Sequence, residues 1–245
     1  MQISIIIATW NAGKTLKTCL DSIVPQLNNK VELIVIDGGS SDTTNAIIAS
    51  YGDKITYTIS EQDNGIYDAW NKGIKASTGE WILFVGADDK LEPDAIHNYQ
   101  RYLDEQNDEL DFISAKVRYV DESGNVLSIS GRQWFYKEGR YSMNVTHVAS
   151  ITSRKYLERV HGFDIQYKIV GDYHLLLKGG KEMKSGFLDK IVATMATGGA
   201  SFSVKALKEQ LKVKLNTSDI PHWMCYLIYC YQYIVFKTYN LRHRV

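Results

Sequence analysis

In the first 90 residues, short aliphatic runs alternate with stretches of helical spacing, and this alternation restricts the fold more than any other feature of the chain. The runs are Ile3–Ile7, Leu33–Ile36, Ile55–Ile59 and Trp81–Val85. Runs this apolar have no polar face to turn toward water, so both faces of the sheet they form must be covered. Between them, Leu16, Leu20, Ile23 and Val24 fall on one side of a helix. Strand, helix and strand in this order read as βαβ units around a parallel sheet. The turn chemistry agrees. Asp37-Gly38-Gly39-Ser40-Ser41-Asp42 closes a strand and supplies Ser and Asp as caps for the next helix. Asn64-Gly65 breaks the chain before a helix expected over Ile66–Ala76.

Beyond residue 90 the spacing predicts a helix over Glu92–Leu103. Strands are expected over Asp111–Val120 and Val126–Ile129, and a long aromatic and basic loop over Gly131–Met143. A further strand is expected over Val145–Ile151. Helices are expected over Arg154–Val160, Asp172–Lys178, Lys205–Leu215 and Trp223–Tyr239. The charge balance narrows the function. Lys+Arg and Asp+Glu both number 28, and a dedicated nucleic-acid binder would carry a basic excess. Cys19, Cys225 and Cys230 are too few and too scattered for a disulfide framework or a zinc site. The N-terminus starts directly on an apolar run with no basic segment before it, so no signal peptide is expected and the setting reads as cytoplasmic.

Four places carry candidate chemistry. Asp88 and Asp89 follow the run Trp81–Val85, at a carboxyl strand end, where open α/β sheets gather ligands. Adjacent carboxylates repel each other unless a cation neutralises them, and hard divalent ions bridge carboxylates to phosphates. The alternative is a solvated turn with a helix cap. Asp37 ends the second strand and is placed to accept from a nucleoside, or else only to cap its own turn. Asp68 and Asn71 lie three apart on one helix face, either reaching a ligand together or forming a solvated stripe. Asp172 either points into a cleft or caps its helix. Separately, Ala8-Thr9-Trp10-Asn11-Ala12-Gly13-Lys14-Thr15 fits a loosened phosphate-loop pattern. It carries a tryptophan and only one glycine, which serves close backbone approach to phosphate poorly. A nucleotide hydrolase is nonetheless one rival reading, and a catalytically inactive nucleotide- or carbohydrate-binding module is another.

In order and spacing, the segments IIIATWN (Ile5–Asn11), VIDGGSSDTT (Val35–Thr44), SEQDNGIYDAWNKGIKASTGEWILFVGADD (Ser60–Asp89), Thr146-His147, GFD (Gly162–Asp164), GDYHLLLK (Gly171–Lys178) and GGAS (Gly198–Ser201) resemble the family 2 inverting glycosyltransferases. The branch they resemble builds bacterial surface polysaccharides. The resemblance implies a GT-A fold: an α/β architecture with a Rossmann-like nucleotide-binding half and a mixed, mostly parallel sheet. It implies a GT-A domain over 1–202, with a donor half (1–90) and an acceptor half (91–202), and a helical extension over 203–245. It assigns Thr9, Asp37, Asp68, Asn71 and Asp88 to the donor, a UDP-sugar. It gives Asp89 to a Mn²⁺ or Mg²⁺ ion and Asp172 to the catalytic base. His147 matches a position near acceptor or metal. The acceptor implied is a hydroxyl of a growing, lipid-linked glycan. The family element usually reads Asp-x-Asp or Ala/Ser-Asp-Asp; here it is Gly86-Ala87-Asp88-Asp89, which leaves open which carboxylate holds the metal.

The end of the chain has its own character. No acid follows Asp219, and Ile220–Phe236 is apolar and aromatic, ahead of Lys237, Arg242 and Arg244. About 15 helical residues span about 22 Å, short of the roughly 30 Å hydrocarbon core. Residues 220–245 therefore read as an interfacial helix that holds the protein peripherally on the cytoplasmic membrane, with docking on the core or on a second subunit as alternatives.

Overall fold

A computed structural model describes residues 1–106, 109–121 and 123–242, with side chains as far as Thr238. One nine-stranded sheet organises these residues. Its first half is β1 (Ile3–Thr9), β2 (Val31–Asp37), β3 (Tyr57–Ser60) and β4 (Trp81–Gly86), in the order β3-β2-β1-β4 and all parallel. All seven residues of β1 are buried, as expected of an aliphatic run covered on both faces. Ile3, Ile5 and Ile7 pack toward α1 (Leu16–Ile23) and α4 (Ala95–Glu105). Ile6 and Ala8 pack toward α3 (Ile66–Ala76). A Cβ at Gly73 would lie 2.3 Å from the Ile6 side chain, so glycine there lets α3 approach the sheet closely. A short α2 (Thr44–Ser50) completes this half.

The second half continues the sheet in mixed orientation. The two-residue β5 (Lys90–Leu91) forms its far edge. β6 (Phe112–Val120) pairs with β7 (Val126–Ser130) as a hairpin and with β8 (Ser150–Ser153), both antiparallel. β8 also lies antiparallel to β4 and so joins the two halves. β9 (Ser185–Ala196) runs parallel to β6 and antiparallel to β5. The helices here are α5 (Tyr136–Gly139), α6 (Arg154–Arg159), α7 (Gly171–Lys178), α8 (Val204–Thr217) and α9 (His222–Arg242). α8 contributes Ala206 and Val213 to the cluster formed by Phe112, Trp134, Tyr173 and Leu176, so packing ties it to α7.

Three features differ from the sequence expectation. β9, twelve residues long, was not expected at all. Asp189 and Lys190 break its apolar pattern, and its register against β6 shifts at Ala115–Val117. The strand expected over Val145–Ile151 is a 3₁₀ turn, His147–Ala149, followed by β8. All three turn residues are buried, so tertiary burial rather than ladder pairing accounts for their apolar character. The loop over Gly131–Met143 contains one four-residue helix, α5. Trp134 anchors it, and a Cβ at Gly139 would meet that ring at 2.2 Å.

Candidate functional site

The carboxyl ends of β1, β2 and β4 open on one side of the sheet, and the loops that leave them are tied together. Asn11, Ala12 and Gly13 donate their amides to Ser40 Oγ, Thr44 Oγ1 and Asp42 Oδ2 at 2.7, 2.8 and 2.9 Å. Ser41 in turn donates its amide to Asn11 Oδ1 at 2.9 Å. These bonds rule out the phosphate-loop reading. A phosphate cradle needs free loop amides, and these are occupied, while Lys14 is exposed at the surface.

Trp10 stands out from this platform at 67% exposure and lines two depressions of about 360 and 300 Å³. Gly38, Gly39, Gln62 and Asp63 complete the first. The second is lined by Thr15, Ile66, Gly86 and Asp88, among others. A larger cavity of about 510 Å³ lies at the amino-terminal ends of β4 and β6, where Arg159 already pairs with Asp111 at 2.8 Å. Lys155 pairs there with Glu109 as well, whereas Asp63 and Asp88 beside Trp10 have no ion-pair partner among the described residues.

Asp37 is fully buried and accepts from the Ser40 amide (2.9 Å), the Ser40 and Ser60 hydroxyls (2.5 Å each) and Asn45 Nδ2 (3.3 Å). Burial opposes its ionisation, but these donors prevail and hold the carboxyl below the usual range. It is not presented as a free acceptor; it fixes the Gly38–Ser40 turn that lines the first depression. Thr9, beside it in register, is buried, and its hydroxyl has no partner among the described residues.

Asp88 is exposed and lines the second depression. Asp89 folds back to accept from the Gly86 amide at 3.1 Å. A Cβ on Gly86 would lie 2.8 Å from Asp88 Oδ1 and 2.9 Å from Asp89 Oδ2, which explains glycine at that position. Burial, then the charge of Asp88, pushes the Asp89 carboxyl up to about 7. No cation pairs with either carboxylate among the described residues. No three His, Cys, Asp or Glu side chains converge there as an all-protein metal cage either. An uncompensated pair of hard oxygen donors beside an open depression suits a divalent ion that takes its other ligands from a diphosphate.

α3 serves this site in ways its spacing did not reveal. Asp68 accepts from the Asn64 amide at 2.9 Å and closes the turn before the helix. Asn71 clamps Phe163, donating to its carbonyl at 2.8 Å and accepting from its amide at 2.9 Å. Gly162 permits this, because a Cβ there would meet Asn71 Oδ1 at 2.6 Å. On the same helix Tyr67, which the sequence reading passed over, points its hydroxyl at the Ile169 carbonyl (2.9 Å) and at Asp172 Oδ1 (3.1 Å).

Asp172 is not a cap. The N-cap of α7 is Val170, and Asp172 lies in the first turn. Burial pushes its carboxyl up to about 6, against the hydrogen bonds from the Tyr173 amide and Tyr67. A Cβ at Gly171 would lie 2.9 Å from the Tyr67 ring, so the glycine lets Tyr67 pass beneath α7. His147 lies elsewhere, within the aromatic cluster. Its ring stacks on Phe84 (5.2 Å between centroids) and tilts against Trp70 (4.9 Å). Burial pushes its pKa down to about 3, and neither nitrogen has a partner among the described residues.

Known proteins resemble this chain in sequence and in fold. The chain is 28% identical over 216 residues to a PGL/p-HBAD biosynthesis glycosyltransferase of Mycobacterium bovis, covering 85% of this chain and 82% of that one. Over 108 residues it is 32% identical to the putative glycosyltransferase EpsH of Bacillus subtilis, covering 43% of this chain and 31% of that protein. S. aureus TarS in complex with UDP-GlcNAc has the same fold, with a TM-score of 0.69 at 18% identity, over 94% of this chain and 70% of that one. The mannosyltransferase PcManGT of Pyrobaculum calidifontis, in complex with GDP-Man and Mn²⁺, superposes with a TM-score of 0.64 at 16% identity, over 95% of this chain and 69% of that one. The description Glycosyl transferase family 2 matches residues 4–162, and with the GT-A sheet already traced, this makes the chain a member of that family.

Proposed function

We propose that this glycosyltransferase is an inverting, divalent-metal-dependent enzyme that moves a sugar from a UDP-sugar to a hydroxyl of a growing, lipid-linked bacterial polysaccharide. The observation that carries the reading is the contrast between two carboxyl environments. Asp88 and Asp89 form an unneutralised pair beside an open depression. Asp172 sits alone at a helix start, with its carboxyl pushed up to about 6. A carboxylate pair that meets no cation suits a divalent ion bound with a diphosphate, whereas a lone carboxyl held beside a phenol suits proton transfer.

In this reading the Trp10 ring gives the base a stacking platform, with Gly38 and Gly39 beneath it. Thr9 offers its unpartnered hydroxyl to the nucleoside. Asp37, Asp68 and Asn71 act through the turns they hold. Asp88 and Asp89 would hold Mn²⁺ or Mg²⁺, which, when bound, supplies Lewis-acid stabilisation to the departing diphosphate. Asp172 Oδ takes the proton of the acceptor hydroxyl as that oxygen attacks the sugar carbon on the face opposite the leaving group. Tyr67, held protonated by burial and the Asp172 charge, steadies the carboxylate before the transfer. UDP is supported as the nucleotide by the fold shared with TarS, whose structures contain UDP and UDP-GlcNAc. The lipid-linked acceptor fits the outward face of α9 described in the Discussion, which would rest the enzyme on the membrane.

Titration calorimetry tests the metal and donor together. UDP should bind the parent in Mn²⁺ and lose at least about tenfold in affinity in EDTA, corresponding to about 1.4 kcal/mol. Asp89→Ala should bind equally in both. Equal UDP affinity for the parent with and without metal removes the metal-dependent reading.

A further inference from the structure

Asp172 is linked to a residue far away in the chain. Glu209, on α8, accepts three consecutive backbone amides in the turn leading into α7: Lys168 at 2.7 Å, Ile169 at 2.6 Å and Val170 at 2.7 Å. Val170 is the N-cap of α7 and provides no side-chain cap of its own. Glu209 therefore brings from α8 the negative charge that a helix N-terminus favours. Its bonds to the turn are charge-assisted and bidentate, the kind that fixes orientation as well as adding energy.

The same turn forms part of the Asp172 proton network. The Ile169 amide binds Glu209, and the Ile169 carbonyl accepts from Tyr67. Tyr67 has one hydroxyl proton and two acceptors, the Ile169 carbonyl and Asp172 Oδ1. While Asp172 is ionised the proton favours Asp172, because hydrogen bonds to charged acceptors are the stronger ones. Once Asp172 has taken a proton it is a weaker, neutral acceptor, and the Ile169 carbonyl competes for the Tyr67 proton on better terms. The position of that peptide therefore governs where Tyr67 and Asp172 sit through the reaction.

We propose that Glu209 is a positioning residue for proton transfer at Asp172: its carboxylate locks the Lys168–Val170 turn, and so fixes the Tyr67–Asp172 pair in the geometry that an attacking hydroxyl needs. This rests on the reading of Asp172 as the base. The groups that face Asp172 are Tyr67 from α3, the Tyr173 amide from its own helix and the like charge of Glu209 from α8. Among the described residues no cation pairs with Asp172. Lys168, the nearest in sequence, directs its ammonium to the Asn64 carbonyl at 2.6 Å.

Two substitutions separate reach from charge. Glu209→Gln keeps the length and removes the charge, placing an amide N–H₂ against backbone donors. Glu209→Asp keeps the charge and shortens the reach. The Asp172 carboxyl is followed by ¹³C NMR across pH in aspartate-labelled protein, its signal assigned by its absence in Asp172→Asn. Single-turnover consumption is measured across a set of UDP-sugars with Mn²⁺. In Glu209→Gln the Asp172 midpoint should move to lower pH, since a like charge is gone and the loosened turn admits water. Turnover should drop on the order of 10-fold, with UDP affinity within about twofold. Glu209→Asp should slow turnover while keeping the midpoint nearer the parent's, and it carries the test if Glu209→Gln melts below the assay temperature. An unmoved Asp172 midpoint in Glu209→Gln, or turnover within about threefold of the parent in either variant, overturns the proposal while the base reading stands. Turnover by Asp172→Asn within about threefold of the parent removes the base reading itself, and the role of Glu209 with it.

Discussion

In the proposed mechanism Asp172 combines a catalytic demand with a stability cost, and the two are separable by one substitution. Asp172→Asn keeps an oxygen for the Tyr173 amide and for Tyr67 but cannot take a proton. Transfer should fall about 10²–10⁴-fold, with UDP affinity unchanged. The parent's kcat/KM should have an acid limb near the pH at which Asp172 titrates, about 6, because the base must be ionised to act. Stability should move the opposite way. The folded-state pKa lies above the ordinary carboxyl value, so the contribution of this group is present at low pH and is lost as pH rises through 6. Asp172→Asn should therefore stabilise the protein at about pH 7.5, by on the order of 2 kcal/mol, and far less near pH 4. Thermal melts at the two pH values check this. A variant that is slow but no more stable at neutral pH would mean that burial of the charge is not costly here.

At the level of elements, three glycines allow neighbouring segments to approach the site closely. Gly86 admits the folded-back Asp89, Gly162 admits Asn71, and Gly171 admits Tyr67. Gly162 also adopts a positive φ of 64°, which strains any other residue. Gly171→Ala is the informative change because its backbone is ordinary helix, so only the contact with Tyr67 is altered. The added methyl should push the phenol ring away from α7 at a cost of about 1–3 kcal/mol. Transfer should slow with UDP binding intact, and Tyr67→Phe should add little to the slowing in the double variant. Full additivity of the two changes would show that Gly171 and Tyr67 act independently. The sequence marked α3 and α7 clearly, by spacing and by Asn64-Gly65. It did not show that Tyr67 joins them, because a contact across about a hundred residues leaves no local pattern.

On the scale of the whole molecule, α9 differs from an ordinary surface helix in being apolar on its outer side as well as its inner one. Its inner side meets α8 through buried Cys225 and the bond from Lys214 Nζ to Gln232 Oε1 at 3.2 Å. Trp223, Tyr226, Leu227, Tyr231, Ile234 and Val235 face outward, along one stripe at helical spacing. The helix is 21 residues long, so it exceeds the length expected from sequence. Even so, no helix among the described residues is long and apolar enough to cross a membrane. An outward aromatic stripe next to a basic, acid-free end suits the headgroup boundary of an anionic bilayer. Replacing Trp223, Leu227, Tyr231 and Ile234 together by serine should abolish co-sedimentation with phosphatidylglycerol vesicles and leave UDP affinity intact. If the parent fails to sediment, or the variant sediments equally well, α9 covers something other than lipid.

The sequence by itself determined the class of the first half of the sheet. Aliphatic runs, helices of matching period and turn residues at the strand ends read as βαβ units around a parallel sheet, as found; the order β3-β2-β1-β4 and the exposure of the edge strand β3 came from the structure. It also singled out Asp88 and Asp89 by their place at a strand end, and Asp172 through the family resemblance. Only the tertiary structure decided which side chains face the cleft. Asp37 and Asn71 proved committed to backbone turns and His147 to an aromatic cluster, while Trp10 stands exposed between the two depressions. β9 and Glu209 were hidden for the same reason. A strand interrupted by Asp189-Lys190 and one acid among the lysines of α8 look like solvated surface in one dimension. They acquire their roles only when folding places β9 against β6, and α8 against the turn that carries the proposed base.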